Sequence, residues 1–190
     1  MSGARSEFIL GGQRSGKSRR AELIARDWLA VAPGHRAVML ATAQPWDAEM
    51  RERIARHQAD RAERVPGMST VEEPQALAHA LQQHSNAHTL VVVDCLTLWL
   101  TNLMLPADPA QALDEAGVLA AGEALCAAVA AAPGPVVLVG NEIGLGVIPL
   151  GREVRAFVDA LGRLNQRVAA ACERVTLMAA GLPLTLKGAA

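Results

Sequence analysis

Short runs of apolar residues alternate along this chain with longer stretches in which apolar residues return every three or four positions. The short runs predict strands and the longer stretches predict helices, because side chains alternate along a strand and share one helix face every three or four residues. The pattern predicts strands at 8–10, 37–42, 69–72, 89–94, 135–140 and 175–179. Helices are predicted between them at 17–31, 48–61, 74–84, 96–104, 116–132 and 152–173.

The strand at 89–94 is apolar at nearly every position, which is typical of a strand buried on both faces. Strands that alternate with helices are joined by crossover connections and pair in parallel. We therefore expect an α/β fold, a mostly parallel sheet with helices on both faces, formed by residues 1–190 as a single domain. In such sheets ligands bind beyond the carboxyl ends of the strands, so functional residues should follow them.

Composition narrows the functional classes. Apolar residues make up 51% of the 190 residues, which excludes a disordered chain. The net charge is −1 and only 3% of the residues are aromatic, which argues against a nucleic-acid partner. Three widely spaced cysteines, Cys95, Cys126 and Cys172, lack zinc-site spacing and are expected to be buried thiols. Residues 1–7 lack the apolar stretch of a signal peptide, and no run is long enough to cross a membrane, so a cytoplasmic protein is predicted.

The segment GGQRSGKS matches the phosphate-binding P-loop pattern G-x-x-x-x-G-K-[ST] and lies between a predicted strand and a predicted helix. It comprises Gly11, Gly12, Gln13, Arg14, Ser15, Gly16, Lys17 and Ser18. Glycines let successive backbone N–H groups point into one concavity, where the helix N-terminus adds positive potential. Lys17 is expected to reach the outer phosphates and Ser18 to ligate Mg²⁺, while Arg14 either touches phosphate or faces solvent.

Acidic residues follow two other predicted strands. Asp94 ends the strand at 89–94 and is predicted to organise the metal ion. An aspartate there could also cap the following helix, and the two roles are compatible. Glu142 follows the strand at 135–140 in a loop bounded by glycines, where a general base or a metal contact would be useful.

The charged helix at 48–61 contains His57, which is spaced to share the inward-looking stripe of Met50 and Ile54. Arg53 and Arg61 flank it four residues away on either side and could line phosphate oxygens. Spacing alone favours a partly buried structural histidine. The other histidines, His35, His79, His84 and His88, are expected on the surface.

The order of these motifs resembles one family. The P-loop is followed by Ala-Thr-Ala at 41–43, by DAEMRERIARHQADR at 47–61, and by VEEP at 71–74. VDCLTLWLTNL at 93–103, GNEIG at 140–144 and GLPLTLK at 181–187 complete the match. The chain is thereby similar, over nearly its whole length, to the bifunctional adenosylcobinamide kinase/adenosylcobinamide-phosphate guanylyltransferases of cobalamin biosynthesis.

The resemblance implies a RecA-like P-loop sheet in a homo-oligomer, typically a trimer, with two activities. One phosphorylates adenosylcobinamide, a corrinoid, with a nucleoside triphosphate such as ATP; the other transfers GMP from GTP to that phosphate through a guanylylated histidine, with Mg²⁺ as the metal. His57 matches the modified histidine, and a neutral imidazole is a good nucleophile because its ordinary pKa is about 6.5. The resemblance further implies GTP contacts at residues 11–18 and at Ala41, Thr42, Ala43, Gln58, Ala59, Asp60, Arg61, Glu72 and Asp94. Ala43 stands where related chains often carry a hydroxyl, so that contact is lost here.

Two other functions share some of these features. A P-loop small-molecule kinase without the guanylyl step would use Lys17, Ser18 and Asp94 but would give His57 no chemical role. A nucleotide-binding regulatory module would use its Ala-rich helices to bind a partner. Covalent labelling by GTP that carries the label in its α-phosphate distinguishes the transferase from both.

Overall fold

The structure, a computed structural model, describes residues 5–147 and 149–188. Residues 1–4 of the polar N-terminal segment lie outside the described residues. The strands are β1 (Ser6–Gly11), β2 (Arg36–Ala41), β3 (Met68–Glu72), β4 (Thr89–Asp94), β5 (Val136–Val139), β6 (Arg174–Ala179) and β7 (Leu182–Lys187). The helices are α1 (Lys17–Val31), α2 (Ala48–Arg64), α3 (Leu77–His84), α4 (Leu96–Met104), α5 (Glu115–Ala131) and α6 (Arg152–Ala171), with a 3₁₀ turn at Pro109–Gln111.

One seven-stranded sheet organises these elements, in the order β3-β2-β4-β5-β1-β6-β7. The pairs from β3 across to β6 are parallel, and only the β6–β7 pair is antiparallel. The predicted mostly parallel sheet is thereby confirmed. β7 was not predicted, because Pro183 cannot donate a ladder hydrogen bond and interrupts the strand pattern. It is an edge strand, where a proline is tolerated.

The core has two halves, one on each face of the sheet. Along β4, Val91 and Val93 enter the cluster formed with α3, α4, α5 and α6, and Leu90 and Val92 enter the cluster formed with α1 and the residue after α2, Val65. A strand whose alternate side chains are buried on opposite faces must be apolar throughout, which explains its continuous apolar run. The predicted helices on both faces are therefore confirmed. No helix in the described ranges is both long and apolar enough to cross a membrane.

Candidate functional site

The carboxyl ends of β1, β2, β4 and β5 meet at one edge of the sheet, because these strands are parallel and adjacent. The register places Asp94 level with Ala41 on one side and with Val139 on the other. Val139 in turn pairs with Ile9, two residues before Gly11. The segments that follow these strands therefore project from the same edge, as expected for a ligand site in a parallel sheet.

The P-loop connects β1 to α1 in a conformation that requires glycine at its ends. Gly11 has φ 153° and Gly16 has φ 98°. A Cβ on Gly11 would lie 2.5 Å from the carbonyl oxygen of Met178 and 2.6 Å from Ser15 Oγ, distances that real Cβ atoms do not reach. Arg14 also has a positive φ, 56°, and is exposed. The tight loop therefore forms as the motif predicted.

Two polar side chains of the P-loop are buried in it. Lys17 is 8% exposed, and its Nζ donates a hydrogen bond of 2.6 Å to the carbonyl oxygen of Gly12. Burial lowers the pKa of Lys17 from its ordinary value and nearby Arg53 lowers it further, whereas Cys95 and Asp94 act in the opposite direction. The hydroxyl of Ser15 is buried with no hydrogen-bond partner among the described residues. An unpartnered buried hydroxyl beside a desolvated ammonium suits an anionic ligand such as phosphate.

Asp94 lines a pocket together with Ser18 at this edge. The second role predicted for Asp94, a cap on α4, is wrong, because the capping residue is Cys95 and no side chain caps this helix. A carboxylate and a hydroxyl are oxygen ligands that suit Mg²⁺, which usually takes one or two protein ligands and completes its shell with phosphates and water. No cluster of three or more His, Cys, Asp or Glu ligands occurs in the described part of the chain.

The helix α2 forms one wall of the same pocket. It begins at the cap of Asp47, whose side chain accepts a hydrogen bond of 2.7 Å from the Met50 N–H. His57 is exposed and lines the pocket, so the spacing-based expectation of a partly buried structural histidine is wrong. The imidazole is positioned by its helix and left open to a ligand.

The basic residues beside His57 differ in burial. Arg53 is exposed, whereas Arg61 is buried and donates from Nη2 to Thr70 Oγ1 at 3.1 Å. Both arginines line the pocket, as the spacing suggested. The pocket thus presents positive charge around His57, which favours phosphate oxygens.

The C-terminal part of α2 is fixed to α1 by an ion pair. Arg64 Nη1 lies 2.6 Å from Glu22 Oε2, and its Nη2 lies 2.8 Å from Asp60 Oδ2. Glu22 is almost wholly buried, so this contact sets where α2 lies against α1. Sequence periodicity gave no indication of this pair, since the partners are 42 positions apart.

Thr42 has a structural role beside the pocket, where it is bonded to the backbone of Cys95. Its buried hydroxyl donates to the carbonyl oxygen of Cys95 and accepts from the Cys95 N–H, both at 2.8 Å. The buried amide of Asn102 donates to the carbonyl oxygens of Thr42 and Pro74. These bonds tie the segment after β2 to α4 and so fix the floor of the pocket. Asn102 was not singled out from the sequence, since an amide within an apolar helix gives no sign of its partner.

The pocket, with a volume of about 110 Å³, brings together eight of the residues predicted for the site. They are Ser18, Ala41, Ala43, His57, Gln58, Arg61, Glu72 and Asp94. Apolar residues that the sequence analysis did not assign, Met39, Cys95 and Leu98, also line it. For Cys95 and Leu98, position at the start of α4 was the available signal, whereas Met39 lies within β2 and gave none.

The remaining predicted residues do not line this pocket. Gly11 to Lys17 form the adjoining loop, Ala59 is exposed, Thr42 is bonded to Cys95, and Asp60 is paired with Arg64. Nucleotide contacts at these positions stay predictions.

The burial of the cysteines and of the other histidines was also predicted. All three cysteines are free thiols; Cys95 and Cys172 are buried as expected, whereas Cys126 is half-buried. Burial, assisted by the charge of Asp94, raises the pKa of Cys95 to about 12, and burial likewise raises that of Cys172 to about 12. His88 is exposed as expected. His35 is half-buried instead, because its ring stacks on Trp28 with the ring centroids 3.8 Å apart. On α3, His79 is exposed as expected, whereas His84 is half-buried.

Comparison with known proteins gives these features a context. A family model described as cobinamide kinase / cobinamide phosphate guanyltransferase matches residues 7–186. The bifunctional adenosylcobalamin biosynthesis protein CobP of Pseudomonas aeruginosa is 50% identical over 183 residues, which cover 96% of this chain and 97% of that protein. The bifunctional protein CobU of Escherichia coli K12 is 37% identical over 188 residues, covering 95% and 98%.

A solved structure with a similar fold is much more distant in sequence. The flagellar accessory protein FlaH from Methanocaldococcus jannaschii aligns with a TM-score of 0.51 at 10% identity, covering 97% of this chain and 78% of that one. A solved ATPase domain also aligns with a TM-score of 0.51, at 11% identity, covering 91% of this chain and 68% of that one. At these identities the likeness shows the fold alone.

Proposed function

The chain belongs to the cobinamide kinase / cobinamide phosphate guanyltransferase family, and on that premise we propose that it catalyses two consecutive reactions. In the first, a nucleoside triphosphate phosphorylates a hydroxyl of adenosylcobinamide. In the second, GMP passes from GTP to the new phosphate, giving adenosylcobinamide-GDP and pyrophosphate. The observation that carries this proposal is the single pocket shared by Ser18, Asp94 and His57, because a simple kinase has no use for the third residue.

The P-loop binds the triphosphate in both reactions. Its backbone N–H groups and the Ser15 hydroxyl hold phosphate oxygens, and Lys17 exchanges its bond to the Gly12 carbonyl for the outer phosphates. Ser18 and Asp94 would hold Mg²⁺, which would neutralise charge on the phosphates. ATP or GTP supplies the phosphoryl group.

His57 is the nucleophile of the second reaction. A ring nitrogen attacks the α-phosphorus of GTP, the bond from that phosphorus to the pyrophosphate oxygen breaks, and a phosphoramidate forms. An oxygen of adenosylcobinamide phosphate then attacks the same phosphorus and releases the imidazole. Arg53 and Arg61 line the same pocket and stabilise the negative charge that develops on the phosphoryl oxygens.

The remaining GTP contacts follow from the same pocket. Four residues that line this pocket would contact the nucleoside, namely Ala41, Ala43, Gln58 and Glu72. Thr42, bonded to Cys95, and Asp60, paired with Arg64, lie outside the pocket. The nucleotide contacts expected of them and of the exposed Ala59 are part of the proposal.

We propose the same assembly that the family resemblance implies, a homotrimer in the cytoplasm. The edge strand β7 supports self-association, since Leu182, Leu184 and Leu186 are all exposed along it. Light scattering of the purified protein measures the assembly directly; a monomer at micromolar concentration would contradict it.

The replacement His57→Asn tests the two-reaction proposal. Asparagine retains polarity and approximate size but cannot form the phosphoramidate, so GMP transfer should be abolished while phosphorylation of adenosylcobinamide continues. The control is His88→Asn, which changes an exposed histidine in the loop before β4. Both variants are incubated with adenosylcobinamide, ATP and GTP labelled in the α-phosphate, and the products are separated.

Three outcomes are informative. Accumulated adenosylcobinamide phosphate without adenosylcobinamide-GDP supports the proposal. Normal transfer by the His57 variant moves the nucleophile to another residue, and loss of both activities in a folded protein would give His57 a different role.

A further inference from the structure

Glu142 lies at the sheet edge between the P-loop and Asp94. It follows β5, and β5 is hydrogen-bonded to β1 on one side and to β4 on the other. The Gly140 N–H donates to the carbonyl oxygen of Ile9 at 3.0 Å, and the Glu142 N–H donates to that of Gly11 at 3.1 Å. The backbone of Glu142 is therefore bonded directly to the first residue of the P-loop.

The carboxylate of Glu142 is held by two uncharged donors. Its Oε1 accepts from the Gly144 N–H at 3.2 Å, and its Oε2 accepts from the Asn165 side-chain amide at 3.4 Å. Asn165 is only 4% exposed and also donates to the carbonyl oxygen of Asn141 at 3.1 Å. An amide fixed in the core thus sets the position of a half-buried carboxylate in a loop.

The Glu142 carboxylate has hydrogen-bonding positions that remain open. Within residues 5–147 and 149–188, no lysine, arginine or histidine forms an ion pair with it. Each carboxylate oxygen has two lone pairs, and one hydrogen bond to each leaves the others open. By contrast, the buried carboxylates of Glu7 and Glu22 are paired with Arg20 and Arg64.

Space for an acceptor molecule adjoins Glu142. Residues that follow it in the loop, Ile143, Val147 and Pro149 among them, line a hollow of about 480 Å³ against α6. In the part of this loop that the structure describes, the side chains of Ile143, Leu145 and Val147 are exposed. This hollow is lined by α6, whereas the pocket that contains His57 is lined by α2.

We propose that Glu142 is the general base of the kinase reaction. Its carboxylate takes the proton from the acceptor hydroxyl as that oxygen forms a bond to the γ-phosphorus; the bond from the γ-phosphorus to its bridging oxygen breaks, and the nucleoside diphosphate leaves. The position between the P-loop and Asp94 is where the γ-phosphate lies in P-loop enzymes that use this sheet edge. This inference rests on the kinase half of the proposed function and assigns no role to Glu142 in GMP transfer.

The test compares Glu142→Gln with wild type in the two half-reactions, measured separately. With adenosylcobinamide and ATP–Mg²⁺, loss of a general base should lower kcat by about 10²–10⁴-fold. The KM for ATP should change by less than about threefold, because the lost interaction belongs to the transition state. With adenosylcobinamide phosphate and GTP, the variant should transfer GMP at the wild-type rate.

Control variants separate this role from others. Glu123→Gln removes an exposed carboxylate on α5 and should leave both rates unchanged, and Glu142→Asp should retain more kinase activity than Glu142→Gln. A kinase rate for Glu142→Gln within about threefold of wild type, recovery at raised Mg²⁺, or parallel loss of both reactions would each overturn the inference. Wild-type protein that forms neither product would instead contradict the proposed function itself.

Discussion

The ion pair between Arg64 and Glu22 should determine how firmly the histidine-bearing helix is held. Arg64→Ala removes the cation and leaves the Glu22 carboxylate, whose side chain is 2% exposed, without its charged partner. Arg64 also lies two turns after His57, along the same face of α2. Its loss should therefore lower both stability and the rate of guanylylation.

The magnitude follows from the burial of the two partners. Breaking a fully buried ion pair by removing one partner costs about 3–5 kcal/mol, and leaving an uncharged buried group unsatisfied costs about 1–3 kcal/mol. Arg64 is 37% exposed, so water can reach Glu22 once the side chain is truncated. We expect a loss of about 2–3 kcal/mol, which for a chain of this size lowers Tm by about 4–12 °C.

Urea unfolding of four proteins measures the effect: wild type, Arg64→Ala, Glu22→Gln and the double variant. The double variant should recover part of the loss, because the neutral glutamine side chain no longer leaves an unpaired charge in the core. Asp60→Asn is the matched control; its carboxylate is 45% exposed, and its pair with Arg64 should contribute only about 0.3–0.5 kcal/mol. A loss below about 0.5 kcal/mol in Arg64→Ala, or strictly additive effects in the double variant, would refute the reasoning.

Two further outcomes follow from the site and a third from a buried thiol of the core. Lys17→Ala should abolish phosphorylation and GMP transfer together, since one P-loop serves both reactions. The control is Arg19→Ala, which changes an exposed neighbour. Wild-type rates of Lys17→Ala at subsaturating nucleotide would contradict this prediction. Asp94→Asn should lower turnover, with partial recovery at raised Mg²⁺. It should leave the urea midpoint nearly unchanged, because Asp94 does not cap α4. A large midpoint shift with normal turnover would contradict the metal role of Asp94. Burial raises the pKa of Cys172 from 9.0 to about 12, so the thiol is protonated in the native state and titrates near the lower value when unfolded. The contribution of the buried thiol to stability is fully present below the unfolded pKa and is lost as the pH rises towards the folded pKa. Urea unfolding at about pH 8 and about pH 10 measures how much the free energy of unfolding falls between the two pH values. That fall should be smaller in Cys172→Ala than in wild type, and equal falls would exclude the effect.

The sequence patterns predicted most of the sheet and the phosphate loop because both depend on local chemistry. The apolar run of β4 required burial on two faces, and the P-loop glycines required a backbone that other residues cannot adopt. β7 was missed because Pro183 breaks the strand pattern and its partner, β6, is antiparallel. Pairing at an edge is decided by tertiary contacts that a local pattern does not contain.

The site was less predictable where side chains meet across elements. The helical spacing correctly placed His57 on the same face of α2 as Met50 and Ile54. It did not show that this face lines a pocket and is not packed in the core. The burial of Arg61 depends on Thr70, and the position of Thr42 depends on the backbone of Cys95. Such partners lie far apart in sequence or on separate elements, so only the folded chain reveals them.

Intact-mass measurement after incubation with GTP and Mg²⁺ shows whether GMP passes through His57. Wild-type protein should gain the mass of one guanylyl group per chain, peptide mapping should place that group on His57, and subsequent addition of adenosylcobinamide phosphate should remove it. His88→Asn should gain the same mass, and His57→Asn should gain none. An unmodified wild-type chain that nevertheless forms adenosylcobinamide-GDP, or a guanylyl group on another residue, would contradict the account.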